Sequence, residues 1–462
     1  MRKTSVFAAS ALACAALAAS AGIEFDAGAD LRIRQEMMKN VPGLPGGGLI
    51  GNAPHGRYVN NVRFRPRVWG EIKGETEDHA KFRLYTRFAD EFRWYINPSA
   101  PGAYVFPDEL ILDNLFFEAK DLFDGFLDFA VGRQDLYGLY EGMELVITDG
   151  TPGDGSRTTY GDMVRFGLNF EDDRRLDLFA LYNFDDTDDL RWGTRRGKHR
   201  SLTGLGRAEP DMDDWGFGAI WSAKLAEALP YKFFVMQKNT ASYYRMGSKR
   251  PRTQRELVGL SVTPQLDDEW SLQFDGMGQV GVNGDGDTLL GSCAYAGINW
   301  KSSREDGVRP YAKLGYLFMS GDKDTGDEDG GHSAWDPMWS RAITHSELLL
   351  YGSLYGVAWW SNMHFAKLTL GVDIDKDHSA EASCGPIFCA AQDGLGGGDG
   401  DFKGFLTRAR YSFPIFSAPY SEEGGRGFKV LGHFYAEVFN PGDYYSSDKP
   451  AWFLRWNVEF RF

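Results

Sequence analysis

Apolar and polar residues alternate with a period of two along most of this chain. At the C-terminus Trp452, Leu454, Trp456, Val458, Phe460 and Phe462 fall on one face, and Phe453, Arg455, Asn457, Glu459 and Arg461 on the other. Near the N-terminus Ile23, Phe25, Ala27, Ala29, Leu31 and Ile33 alternate in the same way with Glu24, Asp26, Gly28, Asp30, Arg32 and Arg34. Successive side chains of a strand point to opposite faces, so each segment predicts a strand with one apolar and one polar side. Strands of soluble sandwiches alternate too, but usually over ~5–6 residues, whereas membrane-crossing strands need ~9–11. The same pattern runs through 62–73, 82–91, 164–170 and 215–222. Weaker versions cover 109–120, 126–135, 175–184, 231–244, 254–264, 270–281 and 291–301, then 309–319, 346–358, 363–375, 401–412 and 427–438. Together these make about 18 strands.

The connections alternate in length. Those at 39–56, 136–159, 185–212, 320–345 and 376–400 are long and hold most of the Gly, Asp and Pro clusters. Short ones such as 171–173, 265–268 and 74–78 fall between them, and the stretch from Pro414 to Gly425 departs from the rule. The fold class that follows is all-β: one transmembrane antiparallel up-and-down β-barrel with long extracellular loops and short periplasmic turns. The 15% aromatic content and 56 glycines suit many strands closed by turns. A mean hydropathy of −0.38 would point to a soluble protein, but a barrel shows lipid only every second residue. The longest later apolar run, Leu348 to Trp360, is interrupted by Gly352, Ser353 and Gly356, so no transmembrane helix is expected. A soluble secreted all-β binding protein is the alternative class, distinguished by extraction without detergent.

The first 21 residues read as a cleaved signal peptide: Met1-Arg2-Lys3, an apolar stretch from Val6 to Ala18, then Ala19-Ser20-Ala21. Cys14 after Ala11-Leu12-Ala13 leaves a lipoprotein as a second reading. Removing residues 1–21 of 462 leaves 441 in a single barrel domain, 22–462. Without Arg2 and Lys3, 48 Lys and Arg face 65 Asp and Glu, a net charge of −17, and no nucleic-acid partner is expected. Cys293, Cys384 and Cys389 remain. Cys384 and Cys389 flank Gly385-Pro386, and a disulfide within one extracellular loop is expected. A chain ending on Phe462 within an aromatic strand matches the signal thought to engage bacterial barrel-assembly machinery. The expected setting is therefore the outer-membrane bilayer.

Three segments resemble the alginate-export family of outer-membrane porins. Val131-Gly132-Arg133-Gln134-Asp135-Leu136-Tyr137-Gly138 is similar to the family's G-R-Q followed by an acidic residue and an aromatic. Ser320-Gly321-Asp322-Lys323-Asp324, then Ala334-Trp335-Asp336-Pro337-Met338-Trp339, looks like its S-G-D-D-D loop leading to F-D-P-L-F. Trp360-Ser361-Asn362 resembles a W-S-N element that follows. The resemblance implies an 18-stranded monomeric barrel whose electropositive conduit passes an anionic polyuronate outward, with periplasmic export components as further candidate partners.

The residues support part of this independently. Arg32, Arg34, Arg63, Arg65, Arg67, Arg83, Arg87, Arg93, Arg165, Arg408, Arg410, Arg455 and Arg461 are inward-facing candidates near the two chain ends, which meet when a barrel closes. Arg133 joins them through the family motif. Guanidinium groups grip carboxylates in a fork and stay charged at any relevant pH. The expectation is a continuous cationic strip that an acidic polysaccharide or small anionic solute follows. The alternative is that these arginines pair with Glu24, Asp26, Asp30, Glu71, Glu91 and Glu118 and merely fill the lumen, as in a general or neutral-sugar porin. Asn283-Gly284-Asp285-Gly286-Asp287 and the run Asp322, Asp324, Asp327 and Asp329 suit calcium chemically, although neither fits the EF-hand pattern and no other cofactor is expected. Catalysis is not expected: of the eight histidines only His433, beside Tyr435 and Glu437, looks arranged for it.

Overall fold

The computed structural model describes residues 22–40, 58–77, 79–90, 92–96, 104–105, 111–136, 139–148, 160–183, 214–245, 248–304, 307–323, 332–340, 345–346, 361–394, 396–418 and 427–462. Within them every long alternating segment is a strand, and eighteen antiparallel strands close a barrel. In chain order they are β1 (Gly22–Lys39), β2 (Tyr58–Glu75), β3 (Lys81–Ala89, continued by Phe92–Tyr95), β4 (Ile111–Leu122, preceded by Tyr104–Val105), β5 (Leu127–Asp135) and β6 (Tyr160–Asn169). Next come β7 (Arg175–Asn183), β8 (Asp214–Lys224), β9 (Pro230–Thr240), β10 (Thr253–Val262), β11 (Trp270–Asn283) and β12 (Thr288–Lys301). The last six are β13 (Arg309–Met319), β14 (Met363–Asp373), β15 (Ser379–Phe388), β16 (Phe402–Ser417), β17 (Lys429–Pro441) and β18 (Ala451–Arg461). Each strand pairs with its sequence neighbours, and β1 also pairs with β18 from Asp30↔Arg461 to Lys39↔Trp452. No strand edge is left open to lipid, where unpaired backbone groups would cost several kcal/mol each.

The two faces divide as the alternation requires. Phe217, Val258, Leu314 and Leu370 point outward and are 51, 50, 55 and 54% exposed. A belt of such residues would be untenable in water and is what lipid solvates. Trp270 with Trp300, and Phe126 with Phe170, pair near the end that carries short turns. That end has connections such as 170–174 and 374–378; the other has the long ones, 40–57, 136–159, 184–213 and 320–362. In the turn at 171–174 Asp172 and Asp173 both have positive φ (59° and 56°), which short polar side chains tolerate best after glycine.

Two expectations fail together. The segment 346–358 is not the partner of β13: Ser346 is not in a strand, 347–358 lies outside the described residues, and β13 pairs directly with β14. The missing strand is β15, inside the stretch 376–400 expected to be a loop. Its outward face is Ala380, Ala382, Cys384 and Pro386, too small to register as an apolar stripe. The stretch after Pro414 also differs, because β16 runs on to Ser417 through an irregularity between Pro414 and Phe416 that spares the missing proline N–H.

The shift in topology corrects the disulfide expectation. Cys384 and Cys389 are free cysteines, as is Cys293. Cys384 lies on the outward face of β15, whereas Cys389 follows its end and is buried. Five residues of extended chain separate them by roughly 16 Å, far beyond the reach of a disulfide. Alkylation of unfolded protein without reductant should therefore modify Cys293, Cys384 and Cys389 alike; protection of two of the three would contradict this strand assignment. Deleting Trp452 to Phe462 should abolish the heat-modifiable folded form on electrophoresis, because it opens two strand edges to lipid.

Candidate functional site: the barrel lumen

Closure of β1 against β2 and β18 stacks inward residues in four consecutive rows. These read Arg67–Asp30–Arg461, Arg65–Arg32–Glu459, Arg63–Arg34–Asn457 and Asn61–Glu36–Arg455. Seven arginines thus face three carboxylates. Glu36 takes Arg63 Nη1 on both oxygens (3.0 and 2.8 Å) and Arg34 Nη1 at 3.2 Å. Asp30 takes Arg67 Nε at 3.0 and 2.9 Å, with Arg65 Nη2 at 3.6 Å. Arg461 meets Glu459 at 2.9 Å. The Arg455 guanidinium lies 4.9 Å from the Tyr435 ring centroid and donates to His433 Nε2 at 3.2 Å. His433, Tyr435 and Glu437 therefore belong to this wall.

The strip is not the freely solvated track that the sequence suggests. Arg32, Arg34, Arg63, Arg65 and Arg455 are buried and Arg67 nearly so; only Arg461, at the end nearest the short turns, is open, its side chain 55% exposed. Arginines stacked two residues apart on three adjacent strands bury one another's stems, and the intervening carboxylates hold the heads together.

Around the rest of the wall the ion pairs continue. Arg83 bonds Glu71 (2.7 Å), Arg87 bonds Asp135 (2.8 Å), Arg165 reaches Gln134 (2.8 Å) and Glu118 (3.8 Å), and Arg408 bonds Glu381 (2.6 Å). Of the carboxylates anticipated as partners, Asp30, Glu71 and Glu118 serve; Glu36, Asp135, Glu381 and Glu459 were not anticipated. Arg410 faces the lumen and is exposed. The Arg93 side chain lies outside the described residues, although its backbone pairs with Arg63. Arg133 is buried, pairs with Asp162 (2.9 Å) and donates to the Leu112 carbonyl (3.1 Å), beside Gln134, which bonds the lumenal Arg165.

A second component is an in-folded segment, 332–340, that lies inside the barrel along β13 to β7 near the long-loop end. Trp335, Met338 and Trp339 are buried among inward residues of the strands and among Met143, Leu145, Val146 and Ile147 of another infolded stretch. The two segments pair in parallel, Trp339 with Ile147 and Ser340 with Thr148. Truncating a buried tryptophan here would cost ~3–5 kcal/mol. Gly291 on β12 makes the approach possible, since a Cβ there would stand 3.2 Å from Trp335 Cα. Three side chains of the wall anchor the segment: Gln279 exchanges hydrogen bonds with the Asp336 backbone (2.6 and 3.0 Å), while Lys238 and Arg255 lie 3.8 and 3.5 Å from its carboxylate. Lys238 also donates to the Met338 carbonyl. Burial would raise the Asp336 carboxyl, but Lys238 and Arg255 hold it below the usual carboxylate range. Burial, then Lys367 and Arg408, push the His345 imidazole well below its ordinary value, so it is neutral where Lys367 meets its Nδ1 at 3.1 Å.

The motif residues are structural pins of this segment. The Ser320 carbonyl accepts the amides of Trp335 and Asn362 (both 3.0 Å). Asn362 Oδ1 accepts the amides of Ala390 (2.9 Å) and Ala391 (2.7 Å), tying the knot to the next connection. Asp322 faces His332 Nδ1 at 3.1 Å, and Asp324, Asp327 and Asp329 lie outside the described residues. Asn283 caps its own tight turn by accepting the amides of Asp285 (3.0 Å) and Asp287 (2.9 Å). Among the described residues no group of three metal-ligating side chains is assembled. Lys238, Arg255 and Gln279 were missed because nothing in a strand's own sequence says what folds into the lumen against it.

No protein-family model matches the chain, and no curated protein does. The fold is similar to solved structures from Pseudomonas aeruginosa. OccK7 (OpdD) has a TM-score of 0.51 at 13% identity, covering 95% of this chain and 99% of that one. OccK8 (OprE) gives 0.51 at 12%, covering 95% and 98%, and OpdK, solved with vanillate, gives 0.50 at 11% over 95% and 98%. At such identity the likeness is one of fold.

The Asp336 anchor has a definite pH sign. A carboxyl held below its unfolded value of about 3.9 contributes at neutral pH and loses that contribution as pH falls through the folded value. Single-channel conductance should stay level from pH 7 to about 5 and rise below about 4 as the segment loosens. Lys238→Met should raise conductance and open-channel noise already at pH 7 and destabilise the fold by ~1–3 kcal/mol, since it leaves the Met338 carbonyl without its donor and Asp336 with Arg255 alone.

Proposed function

We propose that the protein is an outer-membrane channel that passes an anionic solute, a polyuronate or another acidic polysaccharide or oligosaccharide, without catalysis. The observation that carries this reading is the closure wall, where seven arginines face three carboxylates over four rows. Buried charge is screened far less than exposed charge, so the excess acts across the lumen even from arginines that solvent does not reach. The exposed Arg461 gives the wall an accessible end near the short turns. There a carboxylate can exchange one weak contact for the next, as conduction requires. The resemblance to the alginate-export family points the same way. In this reading residues 1–21 are the export signal, residues 22–462 form the barrel, and the bilayer and barrel-assembly machinery are its partners.

Reversal potentials in planar bilayers under a KCl gradient test the proposal. The unmodified pore should prefer chloride, and Arg67→Gln/Arg461→Gln should reduce that preference, more at low salt where the Debye length is long. A pore that prefers potassium would overturn it.

A further inference from the structure

Away from the closure wall, two tyrosines lie flat on glycines. Tyr311 of β13 crosses Gly371 of β14, where any Cβ would run into its ring, and its hydroxyl donates to Glu381 Oε2 on β15 at 2.9 Å. Tyr295 of β12 lies across Gly297 and the neighbouring Gly315 of β13, with a Cβ at Gly297 only 2.9 Å from its Cε1. Alternation directs all three glycines toward the lumen, so each ring is seated on the backbone of the inner wall, and Tyr295 also packs against the buried cluster. Both tyrosines are half-buried, and His345 touches Tyr295 at a ring-centroid distance of 6.4 Å.

Two cations flank these rings. Lys313 and Arg410 are both exposed on the lumenal face. Among the described residues neither meets a carboxylate: Lys313 Nζ stands 5.6 Å from the Tyr311 centroid, and Arg410 Nε donates to Ser412 Oγ at 3.4 Å. The nearby Glu381 is already taken by Arg408 and Tyr311. Register places Tyr311, Gly371, Glu381 and Arg410 in one row across β13 to β16, with Lys313 two residues along β13. Tyr311 and Arg410 therefore stand roughly 14 Å apart along the wall.

We propose that Tyr295, Lys313, Tyr311 and Arg410 form a binding track for an acidic oligosaccharide, in which sugar rings stack on the tyrosine faces while carboxylates meet the two cations. The electron-rich face of an aromatic ring attracts the partly positive C–H groups of a sugar ring, and a ring pinned on glycine loses little freedom in doing so. A pore selecting small anions by charge alone has no use for the stacked rings. The track rests on the channel reading above and gives the acidic sugar a second contact surface, away from the closure wall.

The test uses the full chain in planar bilayers, with a galacturonic-acid hexamer and neutral maltohexaose as blockers of the ion current. The acidic hexamer should block at a concentration at least about tenfold lower than maltohexaose. Lys313→Gln/Arg410→Gln should raise its half-blocking concentration by at least about tenfold. Tyr311→Leu should raise it by roughly threefold or more, and Tyr311→Phe, which keeps the ring, should stay within about twofold. Leu370→Ala, on the lipid face of β14, is the control and should change nothing. Heat-modifiability confirms that each variant folds. Equal block by both sugars, or folded variants blocked like the parent, overturns the track. A potassium-selective parent pore would instead overturn the channel reading, and the ring dependence of block would still decide the track.

Discussion

Lipid offers no hydrogen bonds, so a β structure that spans it must leave no edge. Here the obligation falls on β1 and β18, and the register in which they meet governs most of what the lumen contains. A one-residue slip of β18 against β1 would send Arg455 and Arg461 into hydrocarbon and bring Trp456 and Phe460 into the pore. The cost of that exchange, several kcal/mol for each misplaced group, makes the closure register steep as well as obligatory. The arginine rows are a consequence of closure, because residues from opposite ends of the chain become neighbours only there.

Gathering so many guanidinium groups on three strands creates its own problem, and Asp30, Glu36 and Glu459 answer it. Each lies beside arginines of its own or the next row, so the wall as a whole keeps an excess of positive charge while its guanidinium groups share carboxylates. The in-folded segment 332–340 narrows the lumen nearer the long-loop end, held by Lys238, Arg255 and Gln279 from strands on another part of the wall. The arginine rows and the in-folded segment thus occupy different sets of strands.

Glycine on a lumenal face has a consistent use in this barrel. At Gly291 the absent side chain admits the backbone of the in-folded segment, and at Gly371 and Gly315 it lets a tyrosine from the preceding strand lie down against the wall. Each case exchanges strand propensity for close approach, a loss that long ladders on both sides absorb.

Much of the fold was legible in one dimension, because alternation and strand length are local properties of the chain. The barrel class, the closure of the two ends and the inward set on β1, β2 and β18 follow from counting by twos, whereas the total of 18 strands agrees because 346–358 was counted in place of 379–388. The strand 379–388 was not legible, since alanine, cysteine and proline on its outward face carry too little apolar contrast, while the more apolar 346–358 drew the assignment to itself. That single exchange also misplaced Cys384 and Cys389. The sequence by itself determined which side chains face the lumen on most strands, since a pleated strand has no other choice. Only the tertiary structure decided which of them meet: that Glu36 answers Arg63, that Arg133 pairs with Asp162, that Asp336 reaches Lys238, and that Lys313 and Arg410 meet no carboxylate among the described residues. Those outcomes depend on register between strands and on a segment folded into the pore, and no residue's neighbours in sequence encode its neighbours across a barrel.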